Sequence, residues 1–395
     1  MTRKSHRVIF MIVYFAYTSI YVARVNLSMA GTELIAGNIL NTVQLGLLGS
    51  VFSTVYSIGR FINGGLSDKR PPWLMLTLGL TLAGISNILI SFFPPFIGIF
   101  LLWTSNAYAQ SMLWSSVLCV VSDMYDEKEA KKKTSIMVTS VATGNILGIL
   151  LNTYLITRFG VAYAFVVPGI LTIVLGAFVF LATGKIKPVG LSVDRESAAE
   201  HMSMWQLIKN KELRIMILPA MFHGVMKENI SLWMSVYIVD TYCVDLSTSS
   251  YYILLIPVIG LIGRVLYPVL YRFCGENEHR VTIAGFLVCA LCSLPLMMKG
   301  APMIGAVLAL SAIYTAASMI NTSMLSIYPL RFVQSGNVAS VSGIMDFATY
   351  LGAGIASAAY GVVIKQFGYL PMFLSWLVIS VISVTILRCR VMRRK

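Results

Sequence analysis

Six charged side chains lie inside long apolar segments of this chain: Arg24, Arg60, Lys227, Arg264, Glu228 and Asp346. A charge at the centre of a bilayer costs at least ~2.5–3.5 kcal/mol, so each must face water, a ligand or an opposite charge. The four cations outnumber the two acids, which favours a site for an anion. The alternative is that the charges only pair within a helix bundle, Lys227 with Asp346 and Arg264 with Glu228.

Polar side chains share helical faces with several of these charges, because residues three or four apart lie on one side of a helix. The five stripes are Tyr17, Tyr21, Arg24 and Ser28; Tyr56, Arg60 and Asn63; Asn106, Gln110 and Trp114; Gly224, Lys227 and Ser231; and Asp346, Tyr350 and Gly354. Arginine offers a planar fork of donors for phosphate or carboxylate, and lysine offers a point charge. Basic side chains among tyrosine hydroxyls therefore predict an oxyanion site, unless the aromatic residues only fill the core.

The composition requires a membrane for these segments. Hydrophobic residues make up 57% of the chain, charged residues only 12%, and the mean hydropathy is +0.80. Apolar runs of 20 or more residues cross a bilayer as helices, because lipid leaves backbone polar groups no other partner. The net charge of +14 is spread between the apolar runs, which argues against nucleic acid as a partner.

Twelve transmembrane helices are predicted. Their ranges are 8–30, 42–66, 73–93, 96–122, 134–156, 161–183, 213–239, 248–271, 281–299, 301–328, 338–364 and 369–388. Of the 30 Lys and Arg residues, 23 fall in segments on one side and three on the other. The positive-inside rule then places both termini in the cytoplasm, and the N-terminal apolar run is interpreted as a retained first helix.

The two halves of the chain repeat one another. Arg24-Val-Asn26-Leu-Ser28 returns as Lys227-Glu-Asn229-Ile-Ser231, 203 residues later, and three further short matches follow at offsets of 204 to 208. The predicted domains are a six-helix bundle over 1–183, a cytoplasmic linker over 184–212 and a second bundle over 213–395. Tandem halves with a site at the midplane predict the major facilitator fold, an all-α membrane fold, with Arg24 and Lys227 facing each other across a central cavity.

Several motifs together resemble one branch of that superfamily. They are Tyr17-x3-Tyr21-x2-Arg24-x-Asn26, Tyr56-x3-Arg60-Phe61-x2-Gly64-x2-Ser67-Asp68, Trp114, Lys227, Ile313-Tyr314 and Gly343-x6-Tyr350-Leu351-Gly352. The chain resembles the organophosphate:phosphate antiporters, which include glycerol-3-phosphate and hexose-phosphate transporters. The resemblance implies that Arg24 and Lys227 grip a phosphoryl group and that Arg60 guides it. It also implies that the cavity tyrosines, with Tyr314 and Tyr350, contact the substrate.

The chain also departs from that family. Val141 stands where the family has a histidine, and Glu228 and Asp346 are additional acids. These departures favour proton coupling as an alternative to antiport. Glu228 follows Lys227 directly and is expected ~100° away on the helix, beside the site. Asp346 is therefore the predicted coupling carboxylate, and a fixed ion pair with Lys227 is its alternative role.

A short loop between the second and third helices carries Asp68, Lys69 and Arg70. We expect it to act as a cytoplasmic gating latch, or else to be a solvated turn that only sets topology.

Three functions stay open at this point: a transporter of small organic or phosphorylated anions working by alternating access, a proton-coupled symporter of sugar-acid-like carboxylates, and a non-transporting membrane sensor of the same fold. No motif of a hydrolase, a metalloenzyme or a nucleotide-binding loop is present, so an enzyme is not expected. No cofactor and no metal are expected. The expected partners are a small anion and the lipid of the cell or inner membrane, with a monomeric protein.

Overall fold

The protein is built from helices. The computed structural model describes residues 3–67, 71–125, 127–183, 204–298, 300–332 and 338–393, and no strand occurs among them. The helices are α1 (Arg3–Ala36), α2 (Thr42–Ser67), α3 (Pro72–Ile90), α4 (Phe96–Ser111), α5 (Leu113–Met124), α6 (Glu127–Phe159), α7 (Tyr163–Thr183), α8 (Met204–Lys209), α9 (Lys211–Tyr242), α10 (Leu246–Phe273), α11 (Glu278–Leu296), α12 (Met303–Asn321), α13 (Val338–Phe367) and α14 (Leu370–Arg393). The all-α class predicted from the composition is confirmed.

The predicted helix over 96–122 is interrupted at Met112, so that α4 and α5 take its place. The Ser111 hydroxyl donates to the Tyr108 carbonyl at 2.6 Å, and the Met112 amide bonds instead to Ala109, three residues back, at 3.3 Å. A serine side chain that competes for a helix carbonyl loosens the backbone ladder at that turn. The interruption could not be read from hydropathy, because the apolar pattern continues through it.

The predicted helix over 301–328 is also not a single continuous α-helix. After α12 the backbone widens into a π-helical turn, Thr322–Ile327, and then tightens into a 3-10 turn, Tyr328–Phe332. The Thr322 hydroxyl donates to the Ser318 carbonyl at 3.0 Å where the change begins. Departures of this kind from α geometry often mark moving or functional parts of a helix.

Glycines end two helices in the same way in the two halves of the chain. Gly160 follows α6 with φ of 103°, and Gly368 follows α13 with φ of 71°. Backbone in this left-handed region is easily adopted by glycine alone, so each position stops its helix. The two glycines are 208 residues apart, an offset at which the sequence repeat was recognised.

Nine of the described helices are long and apolar enough to cross a membrane: α1, α3, α6, α7, α10, α11, α12, α13 and α14. The pair α4–α5 and the helices α2 and α9 are not among them. The α4–α5 pair is divided at Met112 into helices of 16 and 12 residues, each too short to cross a bilayer alone. α9 is long enough, but its charged and polar side chains, among them Lys227 and Glu228, reduce its apolar character.

Contacts divide the chain into two compact units. The first unit comprises Met1–Gln44, Val51–Asp194 and Asp245–Ser250, and the second comprises Leu45–Ser50, Arg195–Val244 and Tyr251–Lys395. The exchange of the two six-residue segments, Leu45–Ser50 and Asp245–Ser250, was not expected from the sequence. The predicted linker lies largely outside the described residues, so its boundaries stay a prediction.

The two units share one packing scheme. In the first, α1 packs against α6 and α7, and α3 against α4 and α7. In the second, α9 packs against α13 and α14, and α11 against α12 and α14. A Cβ on Gly144 of α6 would meet the Thr18 carbonyl of α1, and a Cβ on Gly352 of α13 would meet the Met221 carbonyl of α9. Small residues let membrane helices approach to backbone contact. Thr18 and Met221 are 203 residues apart, so the repeat in sequence is also a repeat in packing.

Candidate functional site

Arg24 of α1 lies among aromatic rings in the first unit. Its guanidinium carbon is 4.5 Å from the ring centroid of Phe52, 4.9 Å from that of Tyr56 and 5.8 Å from that of Tyr21. We call Tyr21, Phe52 and Tyr56 the aromatic cage. Ring faces attract a cation without neutralising its formal charge, so contacts with the cage leave Arg24 able to attract an anion.

Arg60 of α2 shares an aromatic ring with Arg24. The guanidinium carbon of Arg60 is 5.7 Å from the Tyr56 centroid, so that ring contacts both cations. Tyr56 is buried and lies stacked on Phe52, with centroids 5.8 Å apart and planes 13° apart. The structure thus brings together the predicted residues Arg24, Arg60, Tyr21 and Tyr56.

Tyr17 and Trp114, both predicted for the site, are also neighbours. Tyr17 is buried on α1, and its ring centroid is 5.5 Å from Tyr21 and 5.3 Å from Trp114 of α5. These contacts connect the aromatic cage to α5 through a continuous run of rings. For Tyr17 and Trp114, the same contacts also fit the alternative that these two residues only fill the core.

Two residues of this cluster were missed. Phe52 lies one turn before Tyr56 on α2, and Trp103 of α4 packs on Phe52 with centroids 5.5 Å apart. Phe52 has helical spacing from Tyr56, but its apolar ring does not stand out from the core residues of α2. Trp103 carried the same kind of signal, because it lies one turn before Asn106 on the predicted stripe of α4.

Buried amides line α4 one turn beyond Trp103. The Gln110 amide donates to Asn106 Oδ1 at 3.2 Å, and both side chains are almost completely buried. Asn106 Nδ2 and Gln110 Oε1 have no hydrogen-bond partner among the residues that the structure describes. A buried amide without a partner is costly, so this pair is suited to bonding a polar ligand or water.

In the second unit, Lys227 forms an ion pair with its neighbour in sequence. Lys227 Nζ lies 2.9 Å from Glu228 Oε1, and the two side chains are 17% and 16% exposed. The Glu228 carboxylate therefore reaches back to the Lys227 ammonium, and its place relative to a substrate stays a prediction. Helical spacing fixes the direction of Cβ, but both side chains are long enough to bend back toward each other.

An asparagine two residues after each basic residue anchors its helix. Asn26 donates to Asn87 Oδ1 at 2.7 Å and to the Ala164 carbonyl at 3.0 Å. Asn229 is bonded to α13, where the Ser357 hydroxyl donates to Asn229 Oδ1 at 2.9 Å. Two residues along a helix are ~200° apart, so each asparagine holds the side of the helix away from its cation.

The remaining predicted residues of the second unit lie on helices near α9. Tyr314 of α12 is buried, and a Cβ on Gly260 would lie 2.7 Å from its ring. Tyr350 of α13 is buried, and Asp346, one turn earlier, is half-buried. The side chain of Arg264 and the whole loop of Asp68, Lys69 and Arg70 lie outside the described residues.

His223 is a buried polar residue that the sequence did not single out. It lies one turn before Lys227 on α9, and its Nε2 is 3.0 Å from the Ala317 carbonyl of α12. Because a carbonyl accepts, Nε2 carries the proton in this bond. The described residues contain no group of three or more His, Cys, Asp or Glu side chains that could hold a metal ion.

A family model described as Major Facilitator Superfamily matches residues 9–357. The chain belongs to the Major Facilitator Superfamily. This assignment confirms the fold predicted from the repeat. Among solved structures, a mutant form of the nucleoside transporter NupG aligns with a TM-score of 0.78 at 14% identity, covering 97% of this chain and 98% of that one. A likeness at so low an identity shows the fold.

Curated relatives within the superfamily agree with the predicted branch. A probable hexose phosphate transport protein of Chlamydia muridarum is 26% identical over 65% of this chain and 62% of its own length. The membrane sensor protein UhpC of Escherichia coli is 22% identical over 66% of this chain and 63% of its own length. The match thus spans less than two thirds of either relative. The expected resemblance to the organophosphate:phosphate antiporters is confirmed.

Proposed function

We propose that this superfamily member is a secondary transporter, not an enzyme, and that it moves a small phosphorylated anion by alternating access. The observation that carries the proposal is Arg24 in its aromatic cage. The guanidinium keeps its charge there, and the rings of Tyr21 and Tyr56, with centroids 5.8 Å and 4.9 Å from the guanidinium carbon, carry hydroxyl groups. A planar donor fork together with tyrosine hydroxyls matches the oxygens of a phosphoryl group.

Lys227, in the proposed bundle 213–395, is proposed as the second anion-binding cation beside Arg24 of the proposed bundle 1–183. It is the repeat counterpart of Arg24, and each of the two is followed by an anchoring asparagine. Arg60 is proposed to guide the anion, because it shares the Tyr56 ring with Arg24. Tyr314 and Tyr350 are proposed to line the C-terminal side.

Similarity to a hexose phosphate transport protein supports a phosphorylated substrate, and exchange for inorganic phosphate is the proposed coupling. Proton coupling is the alternative, because two carboxylates are available for it. Glu228 follows Lys227 in sequence, and Asp346 lies on α13, which packs against α9. We further propose a monomer in the cell or inner membrane with both termini in the cytoplasm, which the distribution of Lys and Arg supports.

The test is exchange in liposomes containing the purified protein. Liposomes loaded with inorganic phosphate should take up radiolabelled phosphate and glucose 6-phosphate. Arg24→Gln should lower phosphate affinity by about ten- to a hundredfold, because a hydrogen bond to a charged group contributes about 1.5–3 kcal/mol. Arg158→Gln, which removes an exposed arginine in the last turn of α6, should leave exchange unchanged.

Arg24→Gln that exchanged phosphate like the wild type would contradict the assignment of the site. Uptake of hexuronate in place of phosphate, driven by a proton gradient, would instead indicate the carboxylate symporter. Both outcomes are read in the same liposomes.

A sensor is the second candidate function, favoured by the similarity to the membrane sensor protein UhpC. A sensor would bind phosphate or glucose 6-phosphate in detergent, with the same loss in Arg24→Gln, and would show no flux in liposomes. Binding and flux measured on one preparation separate the two functions.

A further inference from the structure

Glu228 occupies the position on Lys227 that a substrate anion would need. The carboxylate oxygen Oε1 is 2.9 Å from Nζ, which is hydrogen-bonding distance for an ammonium and a carboxylate. Adjacent residues on a helix do not face each other, so this contact is not the default geometry of a helix surface. Both side chains bend toward one region, and about five sixths of each is withdrawn from solvent.

We propose that Glu228 is the internal competitor of the substrate anion at Lys227, and that anion binding there is linked to uptake of a proton by Glu228. The inference rests on the proposed function and deepens it. With the carboxylate ionised, Lys227 and Glu228 together are neutral and attract an anion poorly. An anion next to Nζ also lies within a few ångströms of the like-charged carboxylate, which favours protonation of that carboxylate. A proton on Glu228 removes the repulsion and leaves the ammonium charge for the anion.

Other ionisable groups lie on α9 itself and on the helices that pack against it. His223 is one turn away on α9 and interacts electrostatically with both Lys227 and Glu228. Of the helices packed against α9, α13 carries Asp346 and Tyr350, and α12 carries Tyr314. The cations Arg388 of α14 and Lys209 of α8 lie near the ends of their helices. His223 is fixed by its bond to Ala317, so it supports the pair without being the group displaced.

This assignment moves the coupling role from Asp346, the residue predicted from the sequence, to Glu228. Asp346 shares a face with Tyr350, and the Glu228 carboxylate is in direct contact with the Lys227 ammonium. The two assignments differ in which single substitution removes the link between anion and proton.

The experiment measures phosphate binding and proton uptake together on the purified full-length protein. Binding of radiolabelled inorganic phosphate is titrated across neutral pH, from about pH 5.5 to about pH 8.5, in wild type, Glu228→Gln and Asp346→Asn. Asp240→Asn is the matched control, because it removes a carboxylate of the same helix that accepts a bond from Tyr369 at 3.0 Å, twelve residues beyond Glu228. Proton uptake on phosphate addition is read with a pH indicator in weak buffer.

The ratio of the wild-type Kd to the Glu228→Gln Kd cancels the ionisation of phosphate itself. It should rise with pH, by at most about tenfold per pH unit, because one proton is linked to binding. Wild type, Asp346→Asn and Asp240→Asn should take up more protons per bound phosphate than Glu228→Gln. If Glu228→Gln does not fold, an infrared difference spectrum of the wild type should still gain a protonated carboxylic acid band on phosphate addition.

The inference is overturned if phosphate binds but the ratio of the two Kd values stays constant with pH, or if the wild type gains no carboxylic acid band. It is also overturned if Asp346→Asn, rather than Glu228→Gln, loses the proton uptake. Absence of phosphate binding in all four proteins would overturn the proposed function itself, and this inference with it.

Discussion

Gly144 lies where α6 touches α1, and a methyl group there has no room. An ideal Cβ on Gly144 would be 2.5 Å from the Thr18 carbonyl oxygen and 2.5 Å from Tyr21 Cβ, whereas ordinary contacts are 3.4–4 Å. Neither atom can rotate away, because one is backbone and the other is the first carbon of its side chain. Gly144→Ala must therefore push α1 and α6 apart by about 1 Å in a close-packed interior.

The cost follows from two opposing effects. Overpacking of a core costs typically about 1–3 kcal/mol, and alanine in place of glycine returns up to about 1 kcal/mol of helix propensity. A net loss of roughly 1–2 kcal/mol should lower Tm by roughly 2–8 °C for a unit of this size. Because the clash moves Tyr21, which belongs to the aromatic cage, phosphate binding should weaken as well.

Thermal unfolding of the purified protein in detergent, followed by tryptophan fluorescence, checks the shift in Tm. Gly305→Ala is the control, because a Cβ there would lie 3.4 Å from Pro302 Cγ, an ordinary contact. Its Tm should stay at the wild-type value or rise slightly. A Tm of Gly144→Ala at or above that of the wild type would refute the reasoning about the close approach.

Two further predictions concern the aromatic cage and the start of α10. Tyr56→Leu removes a ring that contacts both Arg24 and Arg60, so it should weaken phosphate binding by about three- to thirtyfold. Tyr56→Phe keeps the ring and should weaken binding less. Equal losses of binding in the two variants would contradict the role of the ring. The Thr248 side chain and its backbone amide lower the pKa of Asp245. The resulting stabilisation is present at neutral pH and is lost as the pH falls through the folded-state pKa of Asp245. Asp245→Ala should therefore flatten the acid part of a curve of Tm against pH. A curve unchanged from that of the wild type would contradict this role of Asp245.

The sequence alone predicted most of the helices and the grouping of Arg24 with Tyr21 and Tyr56. Tyr17, Tyr21 and Arg24 have helical spacing on α1, and that spacing survives in the structure because helix geometry fixes where each Cβ points. The repeat was equally readable, since duplicated positions such as Arg24 and Lys227 keep their neighbours Asn26 and Asn229.

What could not be predicted depends on the ends of long side chains and on competing hydrogen bonds. The meeting of Lys227 with Glu228 needs several rotatable bonds that periodicity does not describe. The interruption at Met112 depends on which backbone carbonyl accepts the hydrogen bond of the Ser111 hydroxyl, and hydropathy carries no information about that bond. The contact of Trp103 with Phe52 depends on packing between helices, which spacing within one helix does not describe.

The weak apolar character of α9 has a consequence for biogenesis. Membrane insertion of a helix depends on its summed hydrophobicity, so the helix that bears Lys227 and Glu228 is poorly able to leave the translocon for lipid by itself. The more apolar helix α10, which follows it in the chain, is expected to retain α9 until the two assemble. Selection for charged groups on α9 therefore also acts on the order in which the nascent chain becomes integrated, and substitutions of Lys227 or Glu228 should alter expression yield independently of transport.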